Sequence, residues 1–278
     1  MTANEGYGIW RLSTDLRQLI ADFPFVEAST IGCSVLGRPL HALRIGEGPF
    51  RWHFNGCCHA NEWITAPLLM EFVRDYASAL CTNGMIGGRN AGDLYGRNTL
   101  WIVPMLNPDG VEGVLQGLTP SDWKANARGV DLNDQFPACW EEEKRRRRVF
   151  LPGPRDYGGQ SPLSEPEAKA LADWTVRMDF HAVLALHTQG EEVYWNYRDC
   201  EPPCAQEWAE RLAKSAGYRA VALADSDAGY KDWFLQAFRR PGFTVEAGLG
   251  INPLPMRDFP AISERLNRLF AQALDLAH

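Results

Sequence analysis

The stretch Asn55-Gly56-Cys57-Cys58-His59-Ala60-Asn61-Glu62-Trp63-Ile64-Thr65 joins two patterns. Upstream, Arg51 to Asn55 reads as a strand that ends at Gly56. Downstream, Ile64, Leu68, Leu69 and Phe72 repeat with the helical period of about 3.6 residues, and the helix runs to about Leu80, with Pro67 acceptable only near its first turn. The hand-over carries an imidazole, His59, and a carboxylate, Glu62, three residues apart. One helical turn would bring them together. Zinc accepts nitrogen and carboxylate oxygen, and a catalytic site takes three protein ligands with one position open. A third ligand is therefore required. Of the six histidines, His187 stands at the end of an apolar strand, Ala182 to Leu186, and precedes Thr188-Gln189-Gly190. His41 and His53 lie inside expected strands, His181 opens one, and His278 is the last residue, so these read as structural. Alone, the His-x-x-Glu pair is a weak signal.

Outward from this junction, strands and helices alternate. Thr30 to Ser34 and Pro39 to Gly46 form an expected hairpin around Leu36-Gly37-Arg38. Cys81 to Asn98 reads as a loop into a buried strand at Thr99 to Val103, and Asn107-Pro108-Asp109-Gly110 as a turn. Gln116 to Pro162 lacks periodicity and is expected to make long surface excursions of the kind that shape a cleft. Within it, Glu141 to Arg148 is an acidic run followed by a basic one, read as a solvated loop or helix end. Ser164-Glu165-Pro166-Glu167 has the pattern of a capping box, opening a helix with Ala168, Leu171, Ala172, Thr175 and Met178 on its core face. His181 to Leu186 is a strand. A helix near Pro203 to Ala216, a strand near Arg219 to Leu223, a short helix from about Lys231 and a strand at Gly242 to Val245 follow. The last helix carries Ile262, Leu266, Leu269, Phe270, Ala273 and Ala277 on one face. The order predicts one α/β domain over residues 1–278, with 1–29 as a helical or extended lead-in and a mostly parallel or mixed sheet covered by helices on both faces. Functional residues then belong at strand ends.

Composition narrows the functional classes. Hydrophobic residues make up 45% of 278, with ten Trp, enough to fill one large core. A net charge of -7 argues against a nucleic-acid partner, which calls for a basic face. Residues 1–10 lack the basic start and apolar run of an export signal, and no stretch approaches the roughly 18 apolar residues of a membrane span. The expectation is a soluble, cytoplasmic protein without a membrane partner. The seven cysteines lack the paired spacing of a structural zinc site and read as free thiols, Cys200 and Cys204 included.

The residues around His59 and Glu62 resemble the first metal motif of the zinc carboxypeptidases. Further blocks follow in the family's order: Asn107-Pro108-Asp109-Gly110, then Gly129-Val130-Asp131-Leu132-Asn133, which looks like the substrate-binding segment. Ala185-Leu186-His187-Thr188 looks like the strand of the third ligand, and Phe243-Thr244-Val245-Glu246 like the strand of the catalytic glutamate. The resemblance spans roughly residues 30 to 250 and implies an eight-stranded mixed sheet. It also implies one Zn2+ on His59, Glu62 and His187, with Glu246 as general base.

The departures point to a substrate. Carboxypeptidases follow the substrate-binding asparagine with an arginine that clamps the terminal carboxylate, whereas here Asn133 is followed by Asp134. An aspartate there would repel a carboxylate by about 4 kcal/mol at about 4 Å and an effective dielectric near 20. With Trp123-Lys124-Ala125-Asn126 and Gly153-Pro154-Arg155-Asp156-Tyr157, this makes the chain look like bacterial γ-D-glutamyl-L-diamino acid peptidases, which cut peptidoglycan stem peptides before meso-diaminopimelate or lysine. Asp134 is then expected to face the side-chain ammonium. The resemblance puts Lys124 at the position of the arginine that stabilises the oxyanion and Arg128 and Asn133 among the substrate-binding residues. Ala224 falls where the family tyrosine is expected. Tyr230 is considered in its place, with a core or cleft-wall aromatic as the competing reading. The rival functions are a metallocarboxypeptidase, a zinc amidohydrolase of N-acyl amino acids, and an inactive wall-binding scaffold. The expected partner is a peptidoglycan-derived peptide, and the expected assembly a monomer or weak homo-oligomer.

Overall fold

The computed structural model describes residues 6–276; the expectations for Ala277 and His278 lie outside them. The chain opens with α1 (Ile9–Asp22), whose Ile9, Leu12, Leu16 and Leu19 are buried at helical spacing. β1 (Glu27–Cys33) and β2 (Pro39–Ile45) form the expected antiparallel hairpin. Gly37 takes the positive φ (78°) that its turn requires. β3 (Phe50–Asn55) leads to α2 (Thr65–Cys81). Then come β4 (Met85–Ile86), β5 (Arg89–Asn90), α3 (Ala91–Arg97), β6 (Asn98–Val103), α4 (Pro108–Leu115), α5 (Trp140–Arg147) and α6 (Pro166–Met178). The chain continues through β7 (Ala182–His187), β8 (Glu192–Tyr194), α7 (Ala205–Ala216), β9 (Arg219–Val221), α8 (Tyr230–Phe238), β10 (Gly242–Glu246) and α9 (Phe259–Asp275).

Eight strands make one mixed sheet in the order β1-β2-β6-β3-β7-β10-β8-β9. The central four, β6, β3, β7 and β10, are parallel, so Val103, Asn55, His187 and Glu246 end at one edge of the sheet. In such sheets the crevice beyond the carboxyl ends of the strands is where ligands bind. The core lies on both faces. Trp52, Phe54, Leu184, Leu186, Phe243 and Val245 pack with α1, α2, α7 and α9. His53, Val183 and Ala185 pack with α6 and α8 through Trp174, Tyr230, Trp233 and Phe234. Strands covered on both sides need near-continuous apolar runs, and Ala182 to Leu186 is one. No helix among the described residues is long and apolar enough to cross a membrane.

Several local expectations are corrected. The polar stretch after α2 is not all loop, since it holds the β4–β5 hairpin and α3, whose Asn90 caps the backbone N–H of Asp93. The turn signal at Asn107 to Gly110 opens α4, with Asn107 as the cap and Pro108 in the first turn. The capping box at Ser164 does not form. Glu165 precedes the helix without a side-chain cap, and the Glu167 carboxylate accepts instead from Val35 N and Asn126 Nδ2. The charge run is α5, with its acids in the first turn and its bases in the last, the arrangement that the helix dipole favours. It is not merely solvated, because Glu143 is buried and paired with Arg146 and Arg147.

Candidate active site

Gly56 lets β3 end in a tight turn: a Cβ there would meet Leu69 Cδ1 at 2.9 Å and Thr65 Oγ1 at 3.0 Å. Thr65 Oγ1 accepts from Cys57 N (2.8 Å) and donates to Glu62 O (2.8 Å), closing the loop between strand and helix. His59 and Glu62 lie before α2, on a 3-10 turn (Ala60–Glu62) rather than on the α-helix. Side chains at i and i+3 eclipse in that geometry, and His59 Nδ1 stands 2.8 Å from Glu62 Oε1. At the end of β7, His187 Nδ1 stands 3.0 Å from Glu62 Oε2 and 3.2 Å from His59 Nδ1. Two nitrogens each about 2.05 Å from a tetrahedral zinc would be about 3.3 Å apart. The donor set fits that ion in both atom type and spacing.

Its electrostatics follow from this crowding. Burial raises the Glu62 carboxyl and the two imidazoles oppose it, so it stays well below the usual range. Burial depresses His59, but Glu62 and Asp131 push it up to about 9. His187 is lowered, with burial outweighing Glu62. Asp131 Oδ1 is 3.3 Å from His59 Nε2, a partner that would keep the remaining proton on Nε2 once a metal ion takes the place of the Nδ1 proton. Asp131 is itself fixed by Asn133 N (3.1 Å) and Asp156 N (3.1 Å).

Glu246 pairs with His187 in the parallel ladder and lines a cleft of about 520 Å³ with His59, Glu62, Lys124 and Tyr194. Burial, then the nearby Glu62 charge, push its carboxyl up to about 8. Lys124 Nζ lies 4.0 Å from Glu62 Oε1. The Lys124 backbone is held by Ala60 N on its carbonyl (3.0 Å) and by Pro154 O on its N–H (2.8 Å). Asn107 Nδ2 donates to Cys58 O (3.2 Å) and Ala125 O (3.1 Å), tying the His59 loop to the Lys124 loop.

A model of the zinc carboxypeptidase family matches residues 13–239. The chain belongs to the zinc carboxypeptidase family. It is a metallopeptidase-type hydrolase whose cofactor is one Zn2+, and His59, Glu62 and His187 form a donor set that fits it. Gamma-D-glutamyl-L-diamino acid endopeptidase 1 of Lysinibacillus sphaericus is 44% identical over 99% of this chain and 74% of its own length. An uncharacterized protein, YqgT, of Bacillus subtilis (strain 168) is 38% identical over 94% of this chain and 75% of its own. Bovine thrombin-activatable fibrinolysis inhibitor shares the fold of this zinc carboxypeptidase chain, with a TM-score of 0.83 at 20% identity, covering 100% of this chain and 99% of that one.

Other expected site residues of this zinc carboxypeptidase stand apart from the cleft. Asp134 is 3% exposed and is not among the residues lining the cleft. Its neighbour is Arg147 of α5, Nε at 3.7 Å from Oδ2, because the short turn of Leu132–Asp134 directs it inward. Tyr230 is also in the core, 2% exposed, with its hydroxyl 2.9 Å from Thr175 Oγ1 and its ring against Phe136 and His53. Arg128 lines a separate cavity of about 300 Å³ with Val130, Tyr157 and Glu165, its Nη1 3.5 Å from Glu165 Oε2. Asn133 is half-buried and is not among the residues lining the cleft. Sequence reasoning missed the contact of Asp131 with His59, and the cleft positions of Arg155, Tyr194 and Asn252. Asp131 and Arg155 lay inside the quoted blocks, but nothing along the chain pairs Asp131 with a histidine 72 positions away.

Proposed function

We propose that the protein hydrolyses the bond between the γ-carboxyl of D-glutamate and the amine of a diamino acid, meso-diaminopimelate or lysine, in peptidoglycan stem peptides. One observation carries the chemistry: two imidazoles and one carboxylate converge at zinc-ligand spacing, with Glu246 in register beside His187 at an open cleft. The substrate is supported by the 44% identity to a γ-D-glutamyl-L-diamino acid endopeptidase. It is supported too by the residue after Asn133, which offers no arginine fork to a C-terminal carboxylate.

Zinc, when bound, acidifies water and polarises the scissile carbonyl. His59, Glu62 and His187 would hold the ion, and Asp131 would keep the proton of the bound His59 on Nε2 so that Nδ1 is presented to it. Glu246, paired with His187 at the end of β10, takes a proton from the attacking water and hands it to the leaving amine. Lys124 presents its ammonium to the oxygen that becomes negative as the carbonyl turns tetrahedral. No covalent bond to the protein is required. A cytoplasmic role on peptides recovered during wall turnover belongs to the same proposal.

The test is mass spectrometry of products from L-Ala-γ-D-Glu-meso-diaminopimelate, run beside hippuryl amino acids and N-acetyl-aspartate, with metal analysis of the protein. Release of free diaminopimelate by protein carrying one equivalent of zinc is the expected result. Cleavage of the hippuryl series with the stem peptide left intact would overturn the assignment.

A further inference from the structure

Besides His59 and the phenol of Tyr194, five ionisable groups line the cleft: the acids Glu62, Glu246 and Asp122, and the cations Lys124 and Arg155. Glu62 belongs to the donor set and Lys124 stands beside it, which leaves Arg155 without a task. Its placement is tied to the reaction centre from both sides. Pro154 O accepts from Lys124 N (2.8 Å) and Ala125 N (3.0 Å). Asp156 N donates to Asp131 Oδ2 (3.1 Å), whose other oxygen faces His59 Nε2. Arg155 therefore sits between two backbone anchors, one on the Lys124 loop and one on the residue that orients His59.

Its guanidinium is lightly engaged. Nη2 bonds the backbone carbonyl of Asp122 at 3.1 Å and stands 3.6 Å from its carboxylate, with side chains 43% and 65% exposed. An ion pair this wet is screened and contributes little, so a ligand carboxylate can displace it at small cost.

The proposed substrate brings such a carboxylate. Because the D-glutamyl residue is joined through its side chain, its α-carboxylate is free, four bonds from the scissile carbonyl carbon and so at most about 5 Å away. An α-linked residue with a neutral side chain has no charge at that place. With the carbonyl held near Lys124, the carboxylate falls within the sweep of a long side chain rooted on the same wall. A planar fork suits a carboxylate in a way an ammonium does not.

We infer that Arg155 receives the α-carboxylate of the D-glutamyl residue and thereby selects γ-glutamyl peptides in which that carboxylate is free. This rests on the function proposed above. The test compares the zinc-loaded enzyme on the stem tripeptide and on the same peptide with the D-glutamyl α-carboxylate converted to the carboxamide. The intact enzyme is expected to favour the carboxylate in kcat/KM by at least about tenfold, which corresponds to about 1.4 kcal/mol. In Arg155→Gln that ratio falls to near one, and in Arg155→Lys it lies between. Calorimetric binding of the product L-Ala-γ-D-Glu weakens in Arg155→Gln to the same degree, with zinc content and melting temperature unchanged. An Arg155→Gln enzyme that keeps the wild-type ratio, or a wild type that does not distinguish the two peptides, overturns the inference. A wild type that cleaves neither peptide sinks the proposed function itself, and this inference with it.

Discussion

Tyr230→Phe separates a catalytic from a structural tyrosine. Thr175 Oγ1 donates its proton to Leu171 O at 2.7 Å, so in the 2.9 Å contact the Tyr230 hydroxyl is the donor and Thr175 the acceptor. The change to Phe keeps the ring against Phe136, His53 and Trp233 and leaves no N–H or O–H orphaned, only one lone pair of Thr175. The expected cost is that of one neutral buried hydrogen bond, about 0.5–1.5 kcal/mol. At about 2–4 °C per kcal/mol for a chain of this size, the melting temperature falls by about 1–6 °C. Thermal and urea unfolding at fixed free zinc measure the loss, and turnover of the stem tripeptide is retained. A loss of kcat on the order of 100-fold, the size expected of a missing proton donor, with unfolding unaltered, would refute the placement of Tyr230 in the core.

Glu246→Gln keeps zinc at one equivalent and loses turnover by on the order of 100-fold or more; an active variant removes Glu246 from the mechanism. Asp131→Asn weakens zinc binding by about 10- to 100-fold in chelator competition, since His59 loses the partner that fixes its tautomer; an unchanged affinity contradicts that role. Asp134→Asn tests the buried acid. Burial and then Asp131 raise the Asp134 carboxyl well above the usual range, with Arg147 opposing only in part. The folded protein then holds a proton that the unfolded chain releases above about pH 4, so its stability falls with rising pH by up to about 1.4 kcal/mol per unit until the folded pKa is passed. The asparagine variant lacks this slope and gains on the wild type as the pH rises above about 4, and a pH-independent difference in urea unfolding goes against the reading.

What was legible in the sequence was what local pattern determines. β7 is a short apolar run that ends at His187, β3 and β10 alternate apolar with other residues before Gly56 and Ala247, and α2 and α9 show the helical period without ambiguity. His59 and Glu62 were found by their spacing at the hand-over from strand to helix, and His187 because it ends the apolar run. The failures share a cause: they concern which way a side chain turns once the chain has folded. Asp134 and Tyr230 were assigned to the cleft from their place beside motifs, and both point into the core instead. The acids and bases of Glu141 to Arg148 looked solvated because composition cannot show that Glu143 would be enclosed between α5 and the backbone N–H of Asp227. The Glu167 carboxylate missed its expected cap because Val35, far back in the chain, offers it a better-placed N–H.

The reaction centre therefore depends on strand register more than on any one helix. His187 and Glu246 are paired across parallel strands, so their side chains leave the same face of the sheet. A slip of one residue in either strand would turn one of them to the opposite face, among Leu186, Phe243 and Val245. The apolar alternation that buries Leu184, Leu186, Phe243 and Val245 on that face is the force that forbids the slip, at roughly 1.5–3 kcal/mol for each large side chain kept from water. Core packing on one side of the sheet thus fixes the distance between proton acceptor and metal donor on the other. Substitutions such as Val245→Thr, far from any substrate contact, should on this reasoning lower turnover through misplacement of Glu246 as well as lowering stability.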